Sequence, residues 1–197
     1  MFLLAAIIPL AILLQCETPT PDQAAFDIMA SITRSMVLAP EELASVDAEI
    51  TVVYVRNVEH GRKYSIVLLK NGLLDKVDAF TGDGHPWLKR STRQLKNADA
   101  QRLFQAILDS KVFTAEKVAE ASSPWAEETI IFKIRIADTK FYRIWNSLPY
   151  SDRDQEAYRK LVTAALQTAA NTWDSEVQII GPEVYEVVGG LVARGDY

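Results

Sequence analysis

The spacing of apolar residues along the chain predicts three amphipathic helices. Apolar positions recur at helical intervals in residues 22–36, 98–110 and 151–173. Asp22 and Asn97 stand at the start of the first two stretches, and both residue types are favourable N-caps. Each helix would bury one apolar stripe and leave its other side in water.

A second pattern, of β-branched and aromatic residues in short or alternating runs, predicts strands. Such runs cover residues 50–56, 64–70, 73–80, 129–136 and 141–145. A further apolar piece at residues 184–188 is predicted to add an edge strand.

Two of these runs flank Asn71-Gly72, which is the strongest short-range signal for a β-hairpin because both turn positions need a positive φ. A hairpin about this turn places Tyr64, Ile66 and Leu68 on the face that also carries Leu73 and Val77. Residues 138–140 are predicted to turn the chain into a second hairpin.

Together these elements predict an α+β fold. We expect one antiparallel sheet of about five strands, built from the two hairpins, with three helices packed on one face. Residues 24–197 would form this single domain.

Composition agrees with one ordinary folded domain and excludes some classes of protein. The chain has 197 residues, of which 49% are hydrophobic and 24% charged. Its net charge of −5 argues against general nucleic-acid binding, which needs a basic surface. A single cysteine, Cys16, excludes an intrachain disulfide and a cysteine-based zinc site.

The N-terminal segment is typical of a secretory signal. Every residue from Phe2 to Leu14 is apolar. This run is shorter than the roughly 20 residues that a membrane-spanning helix needs, and it fits the ~7–15 residues of a signal-peptide core. The alternative, a buried N-terminal helix, is disfavoured because Pro9 would interrupt it.

The stretch Leu13-Leu14-Gln15-Cys16 resembles the lipobox of bacterial lipoproteins. The resemblance implies that residues 1–15 are removed as a signal peptide and that Cys16 is lipidated and becomes the mature N-terminus. Residues 16–23 would then be a polar tether. The implied partner is a membrane, reached through the lipid anchor, and the implied location is the bacterial cell envelope, facing the periplasm or the exterior. Secretion after simple cleavage and an uncleaved N-terminus are the alternatives.

One loop combines residue types that can carry acid–base chemistry. Asp78, Asp83 and His85 lie close together in the sequence, and a carboxylate beside an imidazole can orient it as a general base. The alternative is an exposed loop in which Asp and Gly supply turn geometry. His60 and His85 are the only histidines and show no metal-ligand spacing, so we expect neither a metal nor a cofactor.

Residues 87–96 concentrate positive charge in an acidic protein. We interpret this segment as a candidate partner-binding surface for an envelope protein or an anionic ligand, or else as a solvated loop. Its candidate residues are Trp87, Lys89, Arg90, Arg93 and Lys96. A further candidate, for stacking of a sugar or another ligand, is the set of aromatic residues Trp125, Trp145 and Trp173 with Phe141 and Tyr142, although aromatic residues more often fill cores.

These observations favour a non-enzymatic binding module over an enzyme, since no recognised nucleophile or phosphate-binding motif is found. The alternatives are a small hydrolase-like enzyme that uses Asp83 and His85, and an exported inhibitor or immunity-type protein.

Overall fold

The computed structural model describes residues 21–37, 47–113, 127–147, 156–169 and 173–193, and every structural statement below concerns these residues. The predicted signal peptide, most of the tether including Cys16, Trp125 and the predicted start of the third helix at residue 151 lie outside them. The elements, in chain order, are α1 (Pro21–Val37), β1 (Ala48–Val58), β2 (Gly61–Lys70), β3 (Leu73–Gly82), β4 (Trp87–Gln94), α2 (Asn97–Asp109), β5 (Glu128–Ile136), β6 (Thr139–Ser147), α3 (Glu156–Thr168), β7 (Ser175–Ile180) and α4 (Glu183–Ala193).

The strands form one antiparallel sheet in the order β6-β5-β1-β2-β3-β4-β7. The predicted α+β class and antiparallel sheet are therefore confirmed. The sheet has seven strands where about five were predicted, because β4 and β7 were missed. β4 is mostly polar, and β7 is only six residues long with polar residues at half of its positions, so neither carries a clear strand signal.

Both predicted hairpins are present. Asn71 and Gly72 have φ values of 50° and 77°, as the two-residue turn between β2 and β3 requires. In the second hairpin Ile136 pairs with Thr139, so the turn is Ala137-Asp138 and is shorter than predicted.

The helices differ from the sequence predictions in three ways. Residues 184–188, predicted as a strand, belong to α4, where Val184, Val188 and Leu191 recur at helical spacing and are buried. The N-cap of α2 is Lys96 and not Asn97, which is the first helical residue. The predicted third helix ends at Thr168, earlier than the predicted end.

Apolar residues cover both faces of the sheet. On the first face, α1, α2 and α3 pack on residues such as Val52, Leu74 and Phe132. On the second face, α4 packs on a separate cluster that includes Val53, Ile66 and Val77. The prediction that the helices pack on one face is thus correct for α1, α2 and α3. It is wrong for α4, which packs on the second face.

Among the described residues, no helix combines the length and the apolar character needed to cross a membrane.

Candidate functional site

The first face of the sheet is exposed toward the end where β3 turns into β4. There the strand register aligns side chains of β2, β3, β4 and β7 in two neighbouring rows. We call this surface the open strip. Its residues are Lys63, Phe80, Trp87 and Ile180 in the first row, and Ser65, Asp78, Lys89 and Gln178 in the second.

The first row is apolar over three adjacent strands. Phe80 pairs with Trp87, and Trp87 pairs with Ile180. Ile180 is 67% exposed and Trp87 is 36% exposed, which are high values for large apolar side chains. A row of exposed apolar residues with polar neighbours is typical of a binding surface.

A pair of glycines supports the aromatic end of this row. Gly61 and Gly82 pair directly across β2 and β3. A Cβ atom added at either glycine would lie within 2.8 Å of the Phe80 ring. The ring therefore packs over bare backbone, which holds it at the surface of the strip.

The charged residues of the second row are paired within the sheet. Asp78 accepts a hydrogen bond from Ser65 at 3.0 Å and forms an ion pair with Lys76, also at 3.0 Å. Lys89 Nζ lies 3.0 Å from Glu176 Oε1. The row can thus donate and accept hydrogen bonds without presenting an unbalanced charge.

Strand β4 separates the cations that the sequence grouped as one surface. Trp87 and Lys89 share the open strip, but Arg90 lies on the second face and pairs with Asp75. Arg93 is buried, donates a hydrogen bond to the carbonyl oxygen of Thr168 and stacks 5.7 Å from the ring centroid of Trp173. Lys96 is exposed in the short segment before α2.

The residues of the predicted acid–base loop are not brought together. Asp83 and His85 are both exposed, and within the described chain neither side chain forms a hydrogen bond or an ion pair. Instead, the Asp83 backbone N–H donates to the carbonyl oxygen of His60 at 3.0 Å. Asp83 and His60 line a shallow cavity of about 610 Å³. In the described parts of the chain, no group of three or more His, Cys, Asp or Glu residues is arranged to hold a metal ion.

Sequence reasoning missed Phe80, Gln178 and Ile180 as site residues. Phe80 was assigned to the sheet without a side-chain role, and residues 178–180 reach the strip only because β7 pairs with β4. Gly82, two residues after Phe80, was the one local signal available.

A scan against models of known protein families found no match to the chain, and a search of curated proteins found no relative.

Proposed function

We propose that the protein is an exported, lipid-anchored and non-enzymatic module of the bacterial cell envelope, and that its open strip binds the glycan of the cell wall. The proposal rests on the cross-strand row of Phe80, Trp87 and Ile180 beside a row of hydrogen-bonding side chains.

The two rows match the two chemical surfaces of a sugar ring. A sugar ring presents C–H groups on its flat face and hydroxyl groups around its edge. Successive rows on one face of a sheet are about 7 Å apart, because side chains repeat every two residues. Trp87 and Phe80 would contact the ring face, while Asp78 and Gln178 would bond the hydroxyl groups.

Charge pairing in the second row of the strip favours an uncharged ligand. Asp78 and Lys89 each have a partner of opposite charge in the sheet. A polyanion such as a nucleic acid would meet no cluster of free cations there. A polyhydroxyl ligand needs only donors and acceptors, which the second row supplies.

The position of α1 supports an anchored orientation that leaves the strip free. Ala24 and Asp27, near the beginning of α1, line a cavity together with Asp138 in the turn between β5 and β6. β6 forms the opposite edge of the sheet from β7. A tether running back from Pro21 to Cys16 would therefore join the domain on the side away from Ile180.

Co-sedimentation with purified cell-wall sacculi tests the binding. The full-length protein in mild detergent should sediment with the sacculi, and Trp87→Ala should weaken the affinity at least about tenfold, since an anchoring tryptophan typically contributes about 2 kcal/mol. Phe26→Ala is the matched control, because Phe26 is an aromatic residue 64% exposed on α1. The proposal would be contradicted if the wild type did not sediment with the sacculi, or if Trp87→Ala and Phe26→Ala lost affinity equally. Binding to anionic vesicles that requires Trp87 would instead assign the strip to a membrane surface.

Lipidation is tested separately by mass spectrometry of the N-terminal peptide from native cells. We expect a mature chain that begins at diacylated Cys16, and a Cys16→Ser chain that keeps its leader. An unmodified, cleaved chain would favour secretion.

A hydrolase-like enzyme is the second candidate, because Asp83 and His60 line one cavity. The binding-module proposal predicts that the protein releases no soluble fragments from sacculi. Release that is lost in both Asp83→Asn and His60→Asn would favour the enzyme.

A further inference from the structure

A second cavity lies at the other edge of the sheet, between α1 and β6. Its volume is about 440 Å³, within the range of small-ligand sites. We call it the charged cavity. Its lining residues are Ala24, Asp27, Asp138, Thr139, Lys140, Phe141, Tyr142 and Arg143.

Arg143 is held in this cavity by an aromatic ring. Its guanidinium carbon lies 4.4 Å from the ring centroid of Phe141. Phe141 is itself buried and packs edge-on against Phe113, with ring centroids 4.9 Å apart. The Arg143 guanidinium therefore stacks on a ring that is itself held by core packing, so the arginine side chain has little conformational entropy left to lose on binding.

The guanidinium is only partly satisfied. Nη1 donates a hydrogen bond to the carbonyl oxygen of Tyr142 at 3.1 Å, while Nε is buried without a partner. Within the described part of the chain, no ion pair joins Arg143 to Asp27 or Asp138, although all three line the cavity. Because Nε is buried, a ligand would meet the guanidinium at its Nη edge.

The acidic side chains of the cavity are also available. Asp27 accepts a hydrogen bond from Gln23 Nε2 at 2.9 Å, which holds its carboxylate without neutralising it. Asp138 lies in the exposed turn before β6. The cavity thus offers both positive and negative groups, and Ala24 and Phe141 add apolar surface to its lining.

We propose that the charged cavity binds a small zwitterion of the α-amino acid class. The ligand carboxylate would pair with the planar guanidinium of Arg143, a geometry that guanidinium groups favour. The ligand ammonium would pair with Asp138, which is exposed in its turn and lines the cavity. This site is independent of the open strip, because the two lie at opposite edges of the sheet.

Isothermal titration of the full-length protein tests the site with a matched set of probes. Alanine carries both charges, propionate lacks the ammonium group, and ethylamine lacks the carboxylate. We expect alanine to bind at least tenfold more tightly than either of the other two. Trp87→Ala should leave this binding unchanged.

Three variants complete the test. Arg143→Met keeps the aliphatic stem over Phe141 but removes the charge, and it should lower alanine affinity at least tenfold. Asp138→Asn changes one exposed turn residue, so the melting temperature should stay unchanged while the affinity for alanine falls. This variant tests the proposal even if Arg143→Met fails to fold. Arg62→Met, at an exposed arginine elsewhere, is the control.

Three results would overturn the proposal: no heat of binding for alanine at millimolar concentration, propionate binding as tightly as alanine, or unchanged alanine affinity in Asp138→Asn.

Discussion

Arg90 and Asp75 form a two-pronged ion pair across β3 and β4, with Nη2 2.7 Å from Oδ2 and Nε 3.2 Å from Oδ1. Asp75 is buried on the second face of the sheet, whereas the Arg90 side chain is about half exposed. The hydrogen bonds that Arg90 donates to the Asp75 carboxylate raise the pKa of Arg90 above its ordinary value. The pair therefore stabilises a buried carboxylate that the adjacent apolar cluster could not accept alone.

Loss of the arginine should cost more stability than loss of the acid. Arg90→Met leaves the Asp75 carboxylate buried without its partner, and we expect the free energy of unfolding to fall by about 2 kcal/mol. Asp75→Asn leaves a half-exposed arginine that water can solvate, so we expect the free energy of unfolding to fall by only about 1 kcal/mol. Urea unfolding followed by circular dichroism measures both values.

The neighbouring residue Lys89 supplies the control for this pair. Its ion pair with Glu176 is exposed on both sides, so Lys89→Met should change stability by no more than about 0.5 kcal/mol. Equal losses in Arg90→Met and Lys89→Met would show that the burial of Asp75 is not what makes the first pair important.

Stability should fall at high pH because of Tyr54. Burial, together with the hydrogen bond that its hydroxyl donates to Glu128 at 2.8 Å, raises the pKa of Tyr54 from 10.0 to about 12. The unfolded chain releases this proton first, so the contribution is intact below pH 10 and is lost as the pH rises toward about 12. The urea midpoint of the wild type should therefore decrease more steeply over this range than that of Tyr54→Phe. If the urea midpoints of the wild type and of Tyr54→Phe fall in parallel as the pH rises, Tyr54 is not the cause of the loss of stability.

A side chain at Gly72 should destabilise the protein. Its φ of 77° disfavours L-residues, whereas the nearest atom to an added Cβ, Gln94 Nε2 at 2.7 Å, ends an exposed and flexible side chain that can move away. Gly72→Ala should therefore reduce the free energy of unfolding by about 1–2 kcal/mol, the usual cost of a left-handed conformation. An unchanged urea midpoint would mean that the hairpin adopts another turn.

Gly189 should give the opposite result. It lies inside α4, and an added Cβ would meet nothing within 4 Å. Because glycine costs about 1 kcal/mol relative to alanine in a helix, Gly189→Ala should stabilise the protein by roughly 0.5–1 kcal/mol. A loss of stability would indicate that this face of α4 is in contact with a residue outside the described ranges.

The parts of the fold that were predicted correctly depend on local signals. Asn71-Gly72 specifies its hairpin because the turn geometry itself requires those residues. α4 was misread because its valines favour strands by propensity, while packing against Ile66 and Val77 on the second face favours the helix.

The candidate site shows the limit of local signals more clearly. Trp87 and Lys89 could be selected from composition, but their separation from Arg90 follows only from the alternation of side chains along β4. Ile180 joins the strip through pairing between distant parts of the chain, which one sequence does not reveal.

The late position of β7 and α4 in the chain affects how the protein is made. A chain is synthesised from its N-terminus, so β1 to β4 can pair with one another before the later strands follow. The outer edge of β4 and the apolar residues Val53, Ile66 and Val77 stay uncovered until residues 175–193 follow. During that interval an unpaired edge beside an apolar surface favours aggregation. The C-terminal segment must therefore be in place before this edge and this apolar surface are both covered.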